Sequence, residues 1–123
     1  MKNSKKKILI IDDDEKHIMA TKEILENEGF EVYFHLNSFG ATNSAIEIKP
    51  DLILLDINMP ALSGDNLSKL LSTNEKTKSI PIVFYSSNDE DTLRKLVVEH
   101  KVKGYICKGN ISELKRKVFS YLL

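Results

Sequence analysis

Residues 8–14 read ILIIDDD, an uninterrupted apolar run that ends in three aspartates. A run of isoleucine and leucine without polar alternation is typical of a strand buried on both faces, as in a parallel sheet. Residues 52–56 read LILLD, a second run of the same kind that also ends in an aspartate. Both stretches predict strands of a parallel sheet with acids at their carboxyl ends.

Outward from these strands, apolar residues recur at helical spacing, so the chain alternates strands with helices. The predicted strands are residues 8–11, 31–36, 52–55, 80–85 and 104–107, and the predicted helices are residues 14–28, 38–49, 65–72, 89–100 and 111–122. Strict alternation with right-handed crossovers gives an α/β fold, a doubly wound five-stranded parallel sheet with helices on both faces.

Helical periodicity also predicts which side chains face the sheet. In the third helix, Leu67, Leu70 and Leu71 are expected to point inward, whereas Val98 and Phe119 lie off the inward stripes of the last two helices. Singly, such exposed apolar residues are ordinary.

Composition excludes several classes of protein. The 123 residues are 41% hydrophobic and 29% charged, which is normal for one globular domain, and we expect a single domain over residues 1–123. Eighteen basic residues balance eighteen acidic ones, so the excess of positive charge that a nucleic-acid binder needs is missing. No apolar run approaches the length of a membrane span. The single cysteine, Cys107, is expected to be a small core residue. A cytoplasmic location fits this composition.

Polar side chains follow four of the predicted strands. They are Asp12, Asp13, Asp56, Ser86 and Lys108. Ligands of such sheets bind beyond the carboxyl ends of the strands, which meet at one edge. An aspartate after a strand is often only a helix cap, and we expect this role for Asp14. The coincidence of complementary groups on one edge favours chemistry over turn structure.

Three close carboxylates repel each other, and a divalent cation relieves that repulsion. Mg²⁺ prefers hard oxygen ligands and commonly joins carboxylates to a phosphate oxygen. A carboxylate between a cation and the Lys108 ammonium would be placed to attack phosphorus, with the Ser86 hydroxyl as a further donor.

With these motifs the sequence resembles the receiver domain of two-component response regulators over nearly its whole length. The motifs are ILIIDDD, PDLILLDINMP, SGDNL, IPIVFYSS and GYICKG. The resemblance implies a flavodoxin-like sheet of order 2-1-3-4-5 that binds Mg²⁺. It makes Asp56 the phosphoacceptor, with the metal held by Asp12, Asp13, Asp56 and the backbone carbonyl of Asn58. It also gives Ser86, Lys108 and Tyr105 the phosphoryl-binding and switch roles.

The resemblance further implies partners. These are a histidine kinase or histidine phosphotransfer protein and a downstream target protein, with no nucleic acid or membrane, and the chain would be a monomer or weak homodimer. In this family the last two helices and last strand form the contact face, so Val98, Tyr105 and Phe119 are expected there. The protein would be a signalling domain rather than an enzyme.

Three residues depart from the usual family pattern. Ser86 stands where Thr is usual, Ser87 stands where Ala is common, and Gly109 stands where a proline, often cis, is usual. Because a non-proline cis bond costs about 3–4 kcal/mol, we expect a trans bond and a looser loop at Gly109. None of these changes removes a group that the mechanism requires.

Three alternatives stay open. The chain could be a phosphorylation-independent binding module, although the intact acidic set argues against it. It could be a receiver cut from a longer regulator, although Met1 and a closing helix favour a complete short protein. A phosphatase-like hydrolase would need a cap and a second acid or base, for which there is little room. His17, His35 and His100 show no ligand spacing and are expected on surfaces or helix faces.

Overall fold

The computed structural model describes residues 5–60 and 62–123. The strands are β1 (Lys7–Ile11), β2 (Glu31–His35), β3 (Leu52–Leu55), β4 (Ile82–Ser86) and β5 (Gly104–Cys107). The helices are α1 (Glu15–Asn27), α2 (Ala41–Ile48), α3 (Gly64–Thr73), α4 (Glu90–His100) and α5 (Ile111–Leu122). They alternate along the chain, which confirms the predicted α/β fold.

All strand pairs are parallel, and the sheet order is β2-β1-β3-β4-β5. The first crossover leads from β1 to β2 on one side of β1. The chain then returns past β1, and β3, β4 and β5 follow on its other side. This arrangement leaves a crevice beyond the carboxyl ends of β1 and β3, the place where open α/β sheets bind ligands.

Alternating side chains of each strand enter two apolar layers. Ile8 and Ile10 belong to the layer that includes Leu25 of α1 and Leu114 of α5. Leu9 and Ile11 belong to the opposite layer, with residues of α2, α3 and α4. Residues 8–11 of β1 and all of β3 are therefore apolar, because both faces of these strands are covered.

The observed elements differ from the predicted ones mainly where they begin. α2 starts at Ala41 rather than at residue 38, because Gly40 adopts a left-handed conformation (φ +78°) that ends the preceding loop. β4 starts at Ile82, after Pro81, whose missing N–H cannot join a ladder. Asp14 caps α1 by accepting a hydrogen bond from the backbone N–H of His17, as predicted.

Two predictions of side-chain orientation are wrong. Leu70 is 51% exposed, since α3 packs through Leu67 and Leu71 instead. Phe119 is not on the exposed face: its ring centroid lies 5.1 Å from that of Phe30, beside the layer under α1. The inward stripe of α5 is therefore wider than predicted, and Phe119 lies apart from Val98, which is 77% exposed.

Cys107 is half-buried against the layer under α2, α3 and α4, so it is a core-edge residue rather than a fully buried one. Among the described residues, no helix has the length and apolar character needed to cross a bilayer.

Candidate functional site

The strand ends hold the predicted polar residues at one edge of the sheet. The backbone N–H groups of Asp12, Asp56 and Lys108 donate to the carbonyls of His35, Ile11 and Ser86, respectively. Each ladder thus continues one residue past the apolar part of its strand. This extra bond fixes the backbone from which the functional side chain projects.

Lys108 lies between two of the carboxylates. Its ammonium is 2.8 Å from Asp12 Oδ2 and 3.4 Å from Asp56 Oδ2. Only 1% of Asp12 and 4% of Asp56 is exposed, so both acids are held away from solvent. Buried carboxylates at this spacing need such a cation, because a lone buried charge is strongly destabilising.

Asp12, exposed Asp13 and Asp56 each place a carboxylate oxygen within 4.8 Å of those of the other two. Asp12 Oδ1 accepts a hydrogen bond of 3.0 Å from the backbone N–H of Asp14, which orients that carboxylate. The three groups supply hard anionic oxygens, the donor type that Mg²⁺ prefers. The structure therefore brings together an acidic cluster suited to a divalent cation.

Burial and charge act differently on the two buried acids. Burial tends to raise the pKa of Asp12, but contacts with His17 and Lys108 outweigh it and lower the pKa to about 2. For Asp56, burial together with the charge of Asp12 outweighs the attraction of Lys108, and the pKa is raised. Burial also opposes the charge on Lys108, yet the two carboxylates raise its pKa. Of the two buried acids, Asp56 is thus the one whose ionised form the fold stabilises less.

The loop after β3 packs directly against the Asp56 backbone. A Cβ atom on Gly64 would lie 2.0 Å from the Asp56 carbonyl oxygen and 2.8 Å from Ile57 Cα. The Gly64 N–H donates to the Ile57 carbonyl at 2.9 Å. Only glycine permits this approach, so the residue that opens α3 also sets the position of Asp56.

Ser86 lies in a network of three polar side chains. Its hydroxyl donates to Asn88 Oδ1 at 2.6 Å and accepts from Asn58 Nδ2 at 3.2 Å. Asn58 Nδ2 also donates to Asn88 Oδ1 at 2.5 Å. The backbone N–H of Asn58 donates to Asp56 Oδ1 at 3.3 Å, which ties the network to the buried acid.

Tyr105 is held on two sides, by α4 and by α5. Its hydroxyl donates to Glu90 at 2.6 Å, in the first turn of α4. The Lys117 ammonium lies 3.9 Å from the ring centroid and also donates to the Tyr105 carbonyl at 2.8 Å. Tyr105 therefore joins α4, β5 and α5.

The bond between Lys108 and Gly109 is trans, as predicted, and no cis peptide occurs in residues 5–60 or 62–123. Gly109 has a φ of +92°, a conformation that suits glycine. Proline, with φ fixed near −65°, could not adopt this backbone.

His17, which we expected on a surface or a helix face, is a neighbour of the site. Its Nδ1 lies 3.6 Å from Asp12 Oδ2, and its ring centroid is 5.1 Å from that of Tyr85. The sequence feature that could have indicated this contact is the position of His17 in the first turn of α1, directly after the aspartates at 12–14. The side chain of His100 is only 3% exposed and its ring lies edge-on to that of Phe84, while His35 contacts the loop before α2.

The comparisons with known proteins agree with this geometry. Residues 8–119 match the model of the response regulator receiver domain. The polar-differentiation response regulator DivK of Brucella anthropi is 31% identical over 93 residues, covering 72% of this chain and 76% of DivK.

Solved structures share the fold. The chemotaxis protein CheY4 of Vibrio cholerae superposes with a TM-score of 0.88 at 22% identity, covering 97% of this chain and 100% of that one. The receiver domain of the Pseudomonas aeruginosa sensor histidine kinase PA1611, solved with a magnesium ion coordinated in its active-site cleft, gives 0.85 at 22% identity, covering 97% and 98%.

A five-stranded sheet of order 2-1-3-4-5, an acidic edge and a family match over residues 8–119 lead to one conclusion. The chain belongs to the response regulator receiver domains of two-component signal transduction.

Proposed function

We propose that residues 1–123 act as one receiver domain that accepts a phosphoryl group on Asp56 from a phosphohistidine of a histidine kinase or phosphotransfer protein. The observation that carries this proposal is the environment of Asp56. Asp56 is 4% exposed, and its carboxylate lies 3.4 Å from the Lys108 ammonium within a cluster of three acids.

The residues at this edge fit Mg²⁺. Asp12, Asp13 and Asp56 offer converging oxygens, and burial and the charge of Asp12 raise the pKa of Asp56 despite the opposing charge of Lys108. These three carboxylates and the backbone carbonyl of Asn58 would hold the ion. When bound, Mg²⁺ would neutralise the acids and polarise a phosphoryl oxygen.

The chain's own groups divide the remaining work. A carboxylate oxygen of Asp56 attacks phosphorus, a new O–P bond forms, and the N–P bond to the donor histidine breaks with its electron pair leaving on nitrogen. Lys108, whose ammonium is 3.4 Å from Asp56, and the hydroxyl of Ser86, at the end of the adjacent strand β4, would stabilise the negative oxygens of the transferred group.

The signal would leave through α4, β5 and α5 to a downstream target protein. Tyr105 supports this direction because it contacts α4 through Glu90 and α5 through Lys117. Val98, 77% exposed on α4, is a candidate contact residue. Phe119 belongs to the α1 side and is not part of this proposed surface.

Intact-protein mass spectrometry after incubation with acetyl phosphate tests the proposal. Wild type should gain one phosphoryl group only when Mg²⁺ is present, and Asp56→Asn should gain none. The matched control is Asp91→Asn, the same change at an exposed position of α4, which should be modified like wild type.

If wild type stays unmodified and also fails to bind beryllofluoride, a phosphoryl mimic, the phosphorylation proposal falls. A phosphorylation-independent binding module would then take its place. Steady turnover of a small phosphate ester would instead indicate a hydrolase.

A further inference from the structure

The Ser86 hydroxyl is fully engaged before any phosphoryl group is present. Ser86 is 0% exposed, so its oxygen is closed off from bulk solvent. It accepts one hydrogen bond from Asn58 and donates its proton to Asn88 Oδ1 at the short distance of 2.6 Å.

A serine hydroxyl carries a single proton and can donate only one good hydrogen bond at a time. In the proposed mechanism that proton is the one offered to a phosphoryl oxygen on Asp56. The bond to Asn88 and the bond to the phosphoryl group therefore exclude each other.

From this competition we propose that Asn88 is a positioning residue that holds the Ser86 hydroxyl in the unphosphorylated state and opposes phosphoryl binding. The inference rests on the proposed function and concerns regulation of the same site. Asn88 acts through Ser86 and needs no contact with the phosphoryl group.

The network keeps the free-energy cost of breaking the Ser86–Asn88 hydrogen bond small. Asn88 Oδ1 also accepts from Asn58 Nδ2 at 2.5 Å, so the amide keeps a partner when the hydroxyl turns away. An acceptor left without any partner in a buried position would carry a larger penalty. The competition is thus weak enough for phosphorylation to overcome.

The Ser86–Asn88 hydrogen bond is also close in the chain to the residues that hold Tyr105. Asn88 directly precedes Asp89, which caps α4 by accepting from the Thr92 N–H at 2.8 Å. The next residue, Glu90, holds the Tyr105 hydroxyl. Breaking the hydrogen bond between Asn88 and Ser86 therefore releases the backbone two residues before Glu90, the residue that binds the Tyr105 hydroxyl.

The test is the affinity of the purified protein, residues 1–123, for beryllofluoride with saturating Mg²⁺, measured by isothermal titration calorimetry. Asn88→Ala removes the competing acceptor and should bind about fivefold more tightly than wild type, the effect of about one net hydrogen bond. Asn27→Ala, at an exposed position at the end of α1, is the matched control and should bind like wild type.

A double-mutant cycle separates competition from a general widening of the site. In a Ser86→Ala background no proton remains to compete for, so adding Asn88→Ala should change affinity by less than about twofold. Asn88→Val repeats the measurement with a side chain of different shape, and urea unfolding confirms that each variant is folded.

No gain in affinity for folded Asn88→Ala or Asn88→Val, a loss, or an equal gain without the Ser86 hydroxyl would overturn the inference. Failure of wild type itself to bind beryllofluoride would instead count against the proposed function, so the two failures are distinguishable.

Discussion

Within the sheet, β1 buries Ile8, Leu9 and Ile10 completely, whereas one residue beyond its end the same strand presents Asp12, a carboxylate that is 1% exposed. The interior gains stability from apolar area removed from water, a term that is insensitive to ions and pH. The carboxyl ends of the strands instead hold buried carboxylates, and the energetic cost of burying them is offset by Lys108 and, in our proposal, by a bound cation. Changes in the interior should therefore alter stability alone, and changes at the edge should alter function first.

The largest expected loss of stability comes from the interior. Leu54 on β3 is 0% exposed, and Leu54→Ala should lower the free energy of unfolding by about 3 kcal/mol through lost burial and a cavity. Urea unfolding measures this, and mass spectrometry should show that the folded protein still accepts a phosphoryl group. A loss below about 1 kcal/mol would mean that the interior repacks more freely than the comparison assumes.

Gly64 packs against the backbone of Asp56, where the apolar interior meets the site, so changing it should affect both stability and function. Gly64→Ala should destabilise by about 2 kcal/mol, because its Cβ would overlap the Asp56 carbonyl and displace the backbone of the site. Phosphoryl acceptance should fall as well. Gly29→Ala is the control: its φ of +98° imposes strain of about 1 kcal/mol, but its Cβ would meet open space far from the site. Wild-type phosphorylation of Gly64→Ala would contradict the positioning role.

Charge at the edge should show in the metal-free protein. Because the pKa of Asp56 is raised by burial and by Asp12, its ionised form destabilises the fold, so Asp56→Asn should be more stable than wild type at neutral pH. The difference is full above the raised folded-state pKa and shrinks as pH falls towards the unfolded value of 3.8. Thermal unfolding from pH 7 downward in a chelator measures it, and a less stable variant at pH 7 would refute the electrostatic account.

The smallest expected effect lies at the Tyr105 anchor. Hydrogen bonding from Tyr105 and the charge of Arg94 lower the pKa of Glu90. Tyr105→Phe removes the first of these, so the pKa of Glu90 should rise towards its ordinary value while global stability stays near wild type. An NMR titration of the Glu90 carboxyl carbon reports this. An unchanged Glu90 pKa would show that the hydroxyl does not hold α4 in solution.

The sequence predicts most of the edge because parallel strands place their carboxyl ends together, so apolar runs that end in Asp12 and Asp56 suffice to bring the acids into one cluster. β3, β5 and α5 have their predicted bounds. A polar residue follows each of the two strands, and α5 begins directly after its cap, Asn110. The trans bond at Gly109 follows from the known energy of cis bonds.

Other features depend on contacts that one-dimensional periodicity does not contain. Leu70 fits an inward stripe, yet α3 meets the sheet through a narrower face. Phe119 fits no stripe, yet it packs on Phe30, a residue far away in the chain. The contact of His17 with Asp12 depends on how the Asp14 cap orients α1, and the hold of Asn88 on Ser86 depends on the path of one loop.

The central claim is that Asp56, among three clustered acids, receives the phosphoryl group. Borohydride reduces an aspartyl phosphate to homoserine, so wild-type protein treated with acetyl phosphate and Mg²⁺, then with borohydride, can be digested and mapped by mass spectrometry. The account predicts homoserine at position 56 and unmodified aspartate at positions 12 and 13. Homoserine at Asp12 or Asp13, with Asp56 intact, would contradict it.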